Sequence, residues 1–262
     1  MSGGHVSVAV DLRYRFARQT DVLLQVEAAE GGGQSVLSGT LDLAGEALAR
    51  VAGEAGIGTR GWVRVEGDLC CAYRAEVAIT RTDRDFRELA AMPPAELPAE
   101  VVGYLLPSRY CDSSAFETFA AGAFAGLSGG ARAAAIGAWV ADALVYVPGS
   151  STGQTTAADT FVTRQGVCRD YAHLVIALAR ASAIPARFAS VYAPDVVPQD
   201  FHAVAEVYLA GGWHMIDATG MTRPAETVRI GVGQDAAGVA FLTSFGPAEF
   251  VSQRVEVMRL AP

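Results

Sequence analysis

The chain has 262 residues, 51% hydrophobic and 18% charged, which suffices for two modest domains with packed cores and excludes disorder as the main state. Its 20 basic residues are all arginine, with no lysine and no asparagine, against 28 acids for a net charge of −8; this disfavours nucleic acid as a partner and removes the lysine amine from any catalytic scheme. No stretch approaches the roughly 18 uninterrupted apolar residues of a membrane span, and Met1-Ser2-Gly3-Gly4-His5-Val6 lacks a basic-then-apolar signal layout, so a soluble, cytoplasmic protein with no membrane partner is expected.

The first third alternates with a period of two. Val6, Val8, Val10, Leu12, Tyr14 and Phe16 share one face while Ser7, Asp11, Arg13 and Arg15 lie mostly on the other, the pattern of a half-buried strand. Further runs at 22–28, 35–43, 61–66 and 69–80, separated by glycine-rich turns, predict an antiparallel β domain, sandwich-like, over residues 1–84. Pro93, Pro94, Pro98 and Pro107 mark residues 85–112 as a linker. Residues 113–262 then form an α+β domain. Helices are expected at 114–126 and 131–144, with a short one at 155–165. The segment after Gly166 is apolar around most of its circumference and reads as a buried central helix reaching toward Pro185. Strands follow at 186–192, 202–209 and 213–217, with strand-like runs at 239–245 and 251–260.

Four cysteines (Cys70, Cys71, Cys111, Cys168) show no CxxC pairing, so neither a disulfide framework nor a structural zinc site is expected. Cys70 and Cys71 are neighbours on one strand and point to opposite faces, which suits packing. Cys111 has no base beside it in sequence. Cys168 differs, because it opens the central helix, where unpaired backbone N–H groups and the helix dipole favour a thiolate and could hold a developing oxyanion.

A thiolate nucleophile needs a base, and there are four histidines. His5 lies near the chain start. His173 is five residues beyond Cys168 and about 140° around the same helix, out of reach of the thiol. His202 and His214 flank the turn Ala210-Gly211-Gly212. If Ala210-Gly211 is a two-residue turn, Tyr208 faces Trp213 and Val207 faces His214, so His202 shares a face with Asp217 while His214 points away from it. The candidate site is therefore Cys168 as nucleophile, His202 as base and Asp217 as the acid that orients the imidazole. Asp170 reads as a cap for the helix N-terminus. No cofactor and no metal are expected: there is no HExxH, no spaced acidic loop, and Gly231-Val232-Gly233 reads as a turn.

The run from Arg164 to Leu174, RQGVCRDYAHL, resembles the nucleophile segment of bacterial transglutaminase-like proteins. Ile184-Pro185-Ala186-Arg187-Phe188, Asp200-Phe201-His202-Ala203, Glu206-Val207-Tyr208-Leu209, Gly212-Trp213 and Asp217-Ala218-Thr219 stand in that family's order, and the segments at 107–111 and 229–237 look like its flanks. The resemblance implies a papain-like α+β catalytic domain behind an accessory β domain, and assigns the same three residues to the same roles. It implies acyl transfer on an amide of a peptide or protein substrate, with hydrolysis (protease or amidase) ranked above crosslinking and above a non-catalytic binding module. Two positions depart from the family pattern. Val204 stands where a tryptophan is common, a change expected to reshape the pocket, and Ala218 stands where proline is usual. Gln165, and Trp139 by analogy with the indole that transglutaminases use, are the candidates for the second oxyanion donor.

Overall fold

A computed structural model describes residues 4–260 of the chain. The N-terminal third comprises β1 (Gly4–Leu24), β2 (Gln34–Asp42), β3 (Ala49–Ala52) and β4 (Thr59–Ile79). β1 and β4 run antiparallel along their whole lengths, from Gly4 opposite Ile79 to Leu24 opposite Gly61, and β2 and β3 occupy the far edge of β4. The runs at 22–28 and 61–66 are thus not separate strands. The first continues β1 and the second belongs to β4, across a bulge between Phe16 and Thr20. Gly67 faces Phe16 at that bulge with φ +87°, a conformation in which a Cβ is strained. Val6, Val8, Val10 and Leu12 are buried with Leu69, Cys71, Tyr73 and Val77, so the period-two alternation becomes one apolar face. His5 lies within β1, paired opposite Ala78.

The proline-rich stretch carries α1 (Ala99–Val102) and short 3-10 turns, with Pro94 in the first turn of one of them and Pro98 capping α1. Val101, Tyr104, Tyr110 and Cys111 are buried there, so residues 85–112 pack as structure instead of passing as a free linker. Then follow α2 (Glu117–Ala123), α3 (Gly129–Ala143), β5 (Val145–Tyr146), α4 (Ala157–Thr163), β6 (Gln165–Gly166) and α5 (Cys168–Ala181). The remaining strands are β7 (Ala186–Tyr192), β8 (His202–Leu209), β9 (Gly212–Ile216), β10 (Val228–Gly233), β11 (Leu242–Ser244) and β12 (Glu249–Arg259).

β10-β7-β8-β9 form a second antiparallel sheet, and α5 lies in its core with Ile136 and Val140 of α3. Leu174, Val175, Ile176, Ala177 and Leu178 are all fully buried, as expected for a helix apolar around its circumference. Tyr192, Val228 and Ile230 are buried in the same core as β1 and β4, which joins the two sheets. β11 and β12 pair antiparallel with β1 and complete a six-stranded sheet drawn from both ends of the chain. Strand pairing therefore does not follow a division at residue 113: residues 242–259, expected in the C-terminal unit, lie in the N-terminal sheet, which is one sheet and not a sandwich of two. The fold is α+β, with an antiparallel β domain beside a helix-on-sheet domain.

Candidate active site

α5 opens at Cys168 after the extended residue Val167, and the Asp170 carboxylate accepts the Val167 N–H at 2.8 Å, which caps the helix. A Cβ on Gly166 would sit 2.6 Å from Cβ of Asp170, so glycine is needed here for the close approach of that cap. β5 and β6 pair in parallel, Tyr146 beside Gly166, with Val145 donating to the Arg164 carbonyl at 2.9 Å and Val147 to the Gly166 carbonyl at 3.0 Å. This two-stranded clamp holds the chain leading into Cys168.

Ala210 and Gly211 both have positive φ, 48° and 84°, and form the two-residue turn that matches strand twist. Tyr208 therefore faces Trp213 and Val207 faces His214, the register counted from the turn. His202 is 3% exposed, with Nε2 3.1 Å from Asp217 Oδ2. The imidazole and the Cys168 thiol line the same cavity. With Nε2 committed to Asp217, Nδ1 is buried and has no hydrogen-bond partner, which leaves it as the nitrogen available to a thiol proton. Asp217 is itself held: Oδ1 accepts the Thr219 N–H at 2.9 Å and the Thr219 hydroxyl at 2.6 Å, and Oδ2 accepts the Met221 N–H at 3.1 Å. The spacing Asp-x-Thr could have disclosed this turn, because a carboxylate binding the backbone two residues on is a local motif. Burial alone would depress the His202 pKa, but its hydrogen bond to Asp217, the nearby Cys168 sulfur and the charges of both lift it to about 9. Burial likewise works against the Asp217 carboxylate, and the hydrogen bonds from His202 and Thr219 outweigh it and hold it below the usual range.

The other histidines stand apart. His214 packs on Phe86 with centroids 5.9 Å apart, and His5 lies 3.8 Å from Glu76. His173 is fully buried, stacked 5.0 Å from Tyr110, and its Nε2 accepts the Ala236 N–H at 3.1 Å, so it pins the loop that walls the site. Burial pushes its pKa down to about 3. The unfolded chain then takes up a proton below about 6.5 that the folded chain refuses until about 3, so the neutral ring favours folding fully above 6.5 and this contribution is lost as pH falls, by up to about 1.4 kcal/mol per pH unit. Urea unfolding of wild type and His173→Gln at pH 7 and pH 4 should show a smaller acid loss in the variant; equal losses would refute this role. All four cysteines are free thiols, and burial pushes Cys71 and Cys111 up to about 12.

Cys168 and His202 open onto a 410 Å³ cavity whose walls include Phe188, Phe201, Phe241 and Val239, with Arg109 and Arg169 beside them. Phe241 comes from the chain just before β11, so the returning C-terminal segment contributes to the site. On the other side, Tyr146, Tyr171, Asp217 and Thr219 line a 470 Å³ cavity along the small-residue face of α3. Trp139 is stacked on Phe161 and tilted against Phe119 under the Arg164 guanidinium and lines neither cavity, and Gln165 is exposed and lines neither. Val204 packs with Ala189, Val191 and Val232, also outside both cavities, so its smaller side chain does not reshape them. Among the described residues, no group of three or more His, Cys, Asp or Glu side chains is arranged for a metal ion, and no helix is long and apolar enough to cross a membrane.

An uncharacterised protein of Mycobacterium leprae is 29% identical over 134 residues, 47% of this chain and 48% of that protein, so the chain matches about half the length of that relative. The crystal structure of a candidate cysteine protease from Cytophaga hutchinsonii superposes with a TM-score of 0.93 at 31% identity, covering 100% of this chain and 92% of that one. A family model of the transglutaminase-like superfamily matches residues 120–218, the span that runs from α2 through α5 to just past Asp217. The chain belongs to the transglutaminase-like superfamily.

Proposed function

We propose that the protein is a cysteine-dependent enzyme that hydrolyses an amide bond in a peptide or protein through a Cys168–His202–Asp217 triad. What supports this reading is an imidazole that is hydrogen-bonded to a held carboxylate and lines one cavity with a helix-terminal thiol. His202 takes the thiol proton, and the Cys168 sulfur bonds to the carbonyl carbon as the C=O pair moves onto oxygen. Collapse of that oxyanion breaks the C–N bond, and the imidazolium gives its proton to the departing amine. Water activated by the same imidazole then cleaves the thioester and regenerates the thiol. The apolar walls and flanking arginines of the cavity at Cys168 suit a peptide side chain, and four unpaired thiols suit a reducing compartment such as the cytoplasm.

An unbiased peptide library incubated with wild type and Cys168→Ala, with and without added amine, tests the reading by mass spectrometry. Shortened or deamidated products absent from the variant support hydrolysis, and amine adducts support crosslinking instead. Identical products from both proteins would end the proposal. The raised His202 pKa sets the alkaline limit. The imidazolium that protonates the leaving amine is lost as pH rises through about 9, so amide cleavage should decline there, whereas alkylation of Cys168 by iodoacetamide, which needs no proton donor, should not.

A further inference from the structure

We propose that Tyr146 is the second oxyanion donor of this site, its phenol O–H acting together with the Cys168 backbone N–H. The inference rests on the reading of Cys168 as nucleophile. Three observations converge on it. The parallel pairing of β5 with β6 sets Tyr146 directly beside Gly166, two residues before the thiol. Cys168 is a near neighbour of the phenol, its sulfur and its backbone N–H, the first donor available at the helix terminus, both acting on that group. The Tyr146 ring packs against Tyr171, with centroids 5.9 Å apart, and shares the cavity wall with Asp217. Trp139 and Gln165, the alternatives suggested by sequence, do not line the cavities.

When sulfur attacks and the carbonyl pair moves onto oxygen, the Cys168 N–H and the phenol O–H both donate to that oxyanion. Nothing is transferred from Tyr146: its proton stays on the phenol while the S–C bond forms and the C–N bond later breaks. Burial first, and the neighbouring sulfur second, push the phenol up to about 12, so it remains a proton-bearing donor across the working range. Such a donor strengthens its bond as charge develops, which is why it favours the transition state over the bound substrate.

The test compares two reactions of the same thiol. p-Nitrophenyl acetate acetylates Cys168 through an oxyanion, and iodoacetamide alkylates it by displacing iodide without one. Tyr146→Phe should slow acetylation about 100-fold and leave alkylation within about threefold. Tyr146→Gln, which keeps an N–H donor at this position, should retain more acetylation than Tyr146→Phe, and it supplies the comparison should the phenylalanine variant fail to fold. Equal slowing of both reactions, no slowing of acetylation, or faster alkylation in Tyr146→Phe would overturn the proposal, the last by showing that the phenol restrains the thiol instead. Failure of wild-type Cys168 to react preferentially with either reagent would instead strike the underlying reading of the nucleophile.

Discussion

Asp217→Asn should lower kcat/KM about 1,000-fold or more and also destabilise the protein, although an amide is nearly the same shape as the carboxylate. Both Asp217 oxygens accept backbone N–H groups, Oδ1 from Thr219 at 2.9 Å and Oδ2 from Met221 at 3.1 Å, and Oδ2 also serves His202. Whichever position the amide nitrogen of an asparagine takes, two donors meet, and an N–H cannot rotate to become an acceptor as the Thr219 hydroxyl can. If the amide nitrogen faces His202, it makes Nε2 an acceptor and moves the ring proton to Nδ1, the nitrogen that receives the thiol proton in the proposed mechanism. Loss of the correct tautomer is worth a factor on the order of 10⁴ in a comparable serine triad. The unmatched buried donor should cost about 1–3 kcal/mol besides. Steady-state kinetics on a peptide from the library, with thermal melting of the same samples, would check both effects. A variant with near-native turnover would show that Asp217 does not set the tautomer.

Glu206→Ala should be among the most destabilising single substitutions in the chain, at about 3–5 kcal/mol. Glu206 is fully buried on β8 between two guanidiniums: Arg187, its direct partner on β7, donates Nε to Oε2 at 2.8 Å, and Arg229 from β10 binds Oε1 through Nε at 3.1 Å and through Nη2. Burial alone would raise the carboxyl, but the attraction of Arg229 and Arg187 outweighs it and keeps Glu206 ionised below its ordinary range. Arg81 lies close enough that burial, and then repulsion from Arg229, pull it down to about 10. The Arg187 guanidinium also stacks 3.9 Å over the ring of Trp213. Removing the one carboxylate leaves buried cations without a counter-charge. Replacing the carboxylate and both flanking arginines together by leucine and methionine should be much milder, because no unpaired charge remains. Urea unfolding should give a melting or midpoint loss for Glu206→Ala that the triple replacement largely restores; equal losses in both would place the effect in packing and not in charge.

Much of the architecture was legible because its causes are local. α5 announces itself by an apolar circumference that only a buried helix can satisfy, and Cys168 falls at its start. The β8–β9 register follows from the length of one turn, since side chains alternate with period two and a two-residue loop leaves no freedom to slip. The same logic failed where pairing is remote. β11 and β12 are strands by pattern, but nothing in their alternation says that β1, more than two hundred residues earlier, is their partner. Residues 85–112 looked like a linker because prolines break regular elements, yet those prolines also start short turns that carry Tyr104 and Tyr110 into the core.

By itself the sequence determined the α+β class, the helix that begins with Cys168, the hairpin parity that sets His202 and Asp217 on one face, and the resemblance to the transglutaminase-like superfamily. Those are matters of periodicity, turn length and residue order, all of which act over a few neighbours. Tertiary structure alone decided that the C-terminal strands return to the first sheet, that Phe241 reaches the cavity of Cys168, that two arginines bracket Glu206, and that Tyr146 pairs beside Gly166 at the entry to α5. Each of these joins segments far apart in the chain through burial and non-local pairing, and such contacts depend on how whole faces pack, which no local pattern encodes.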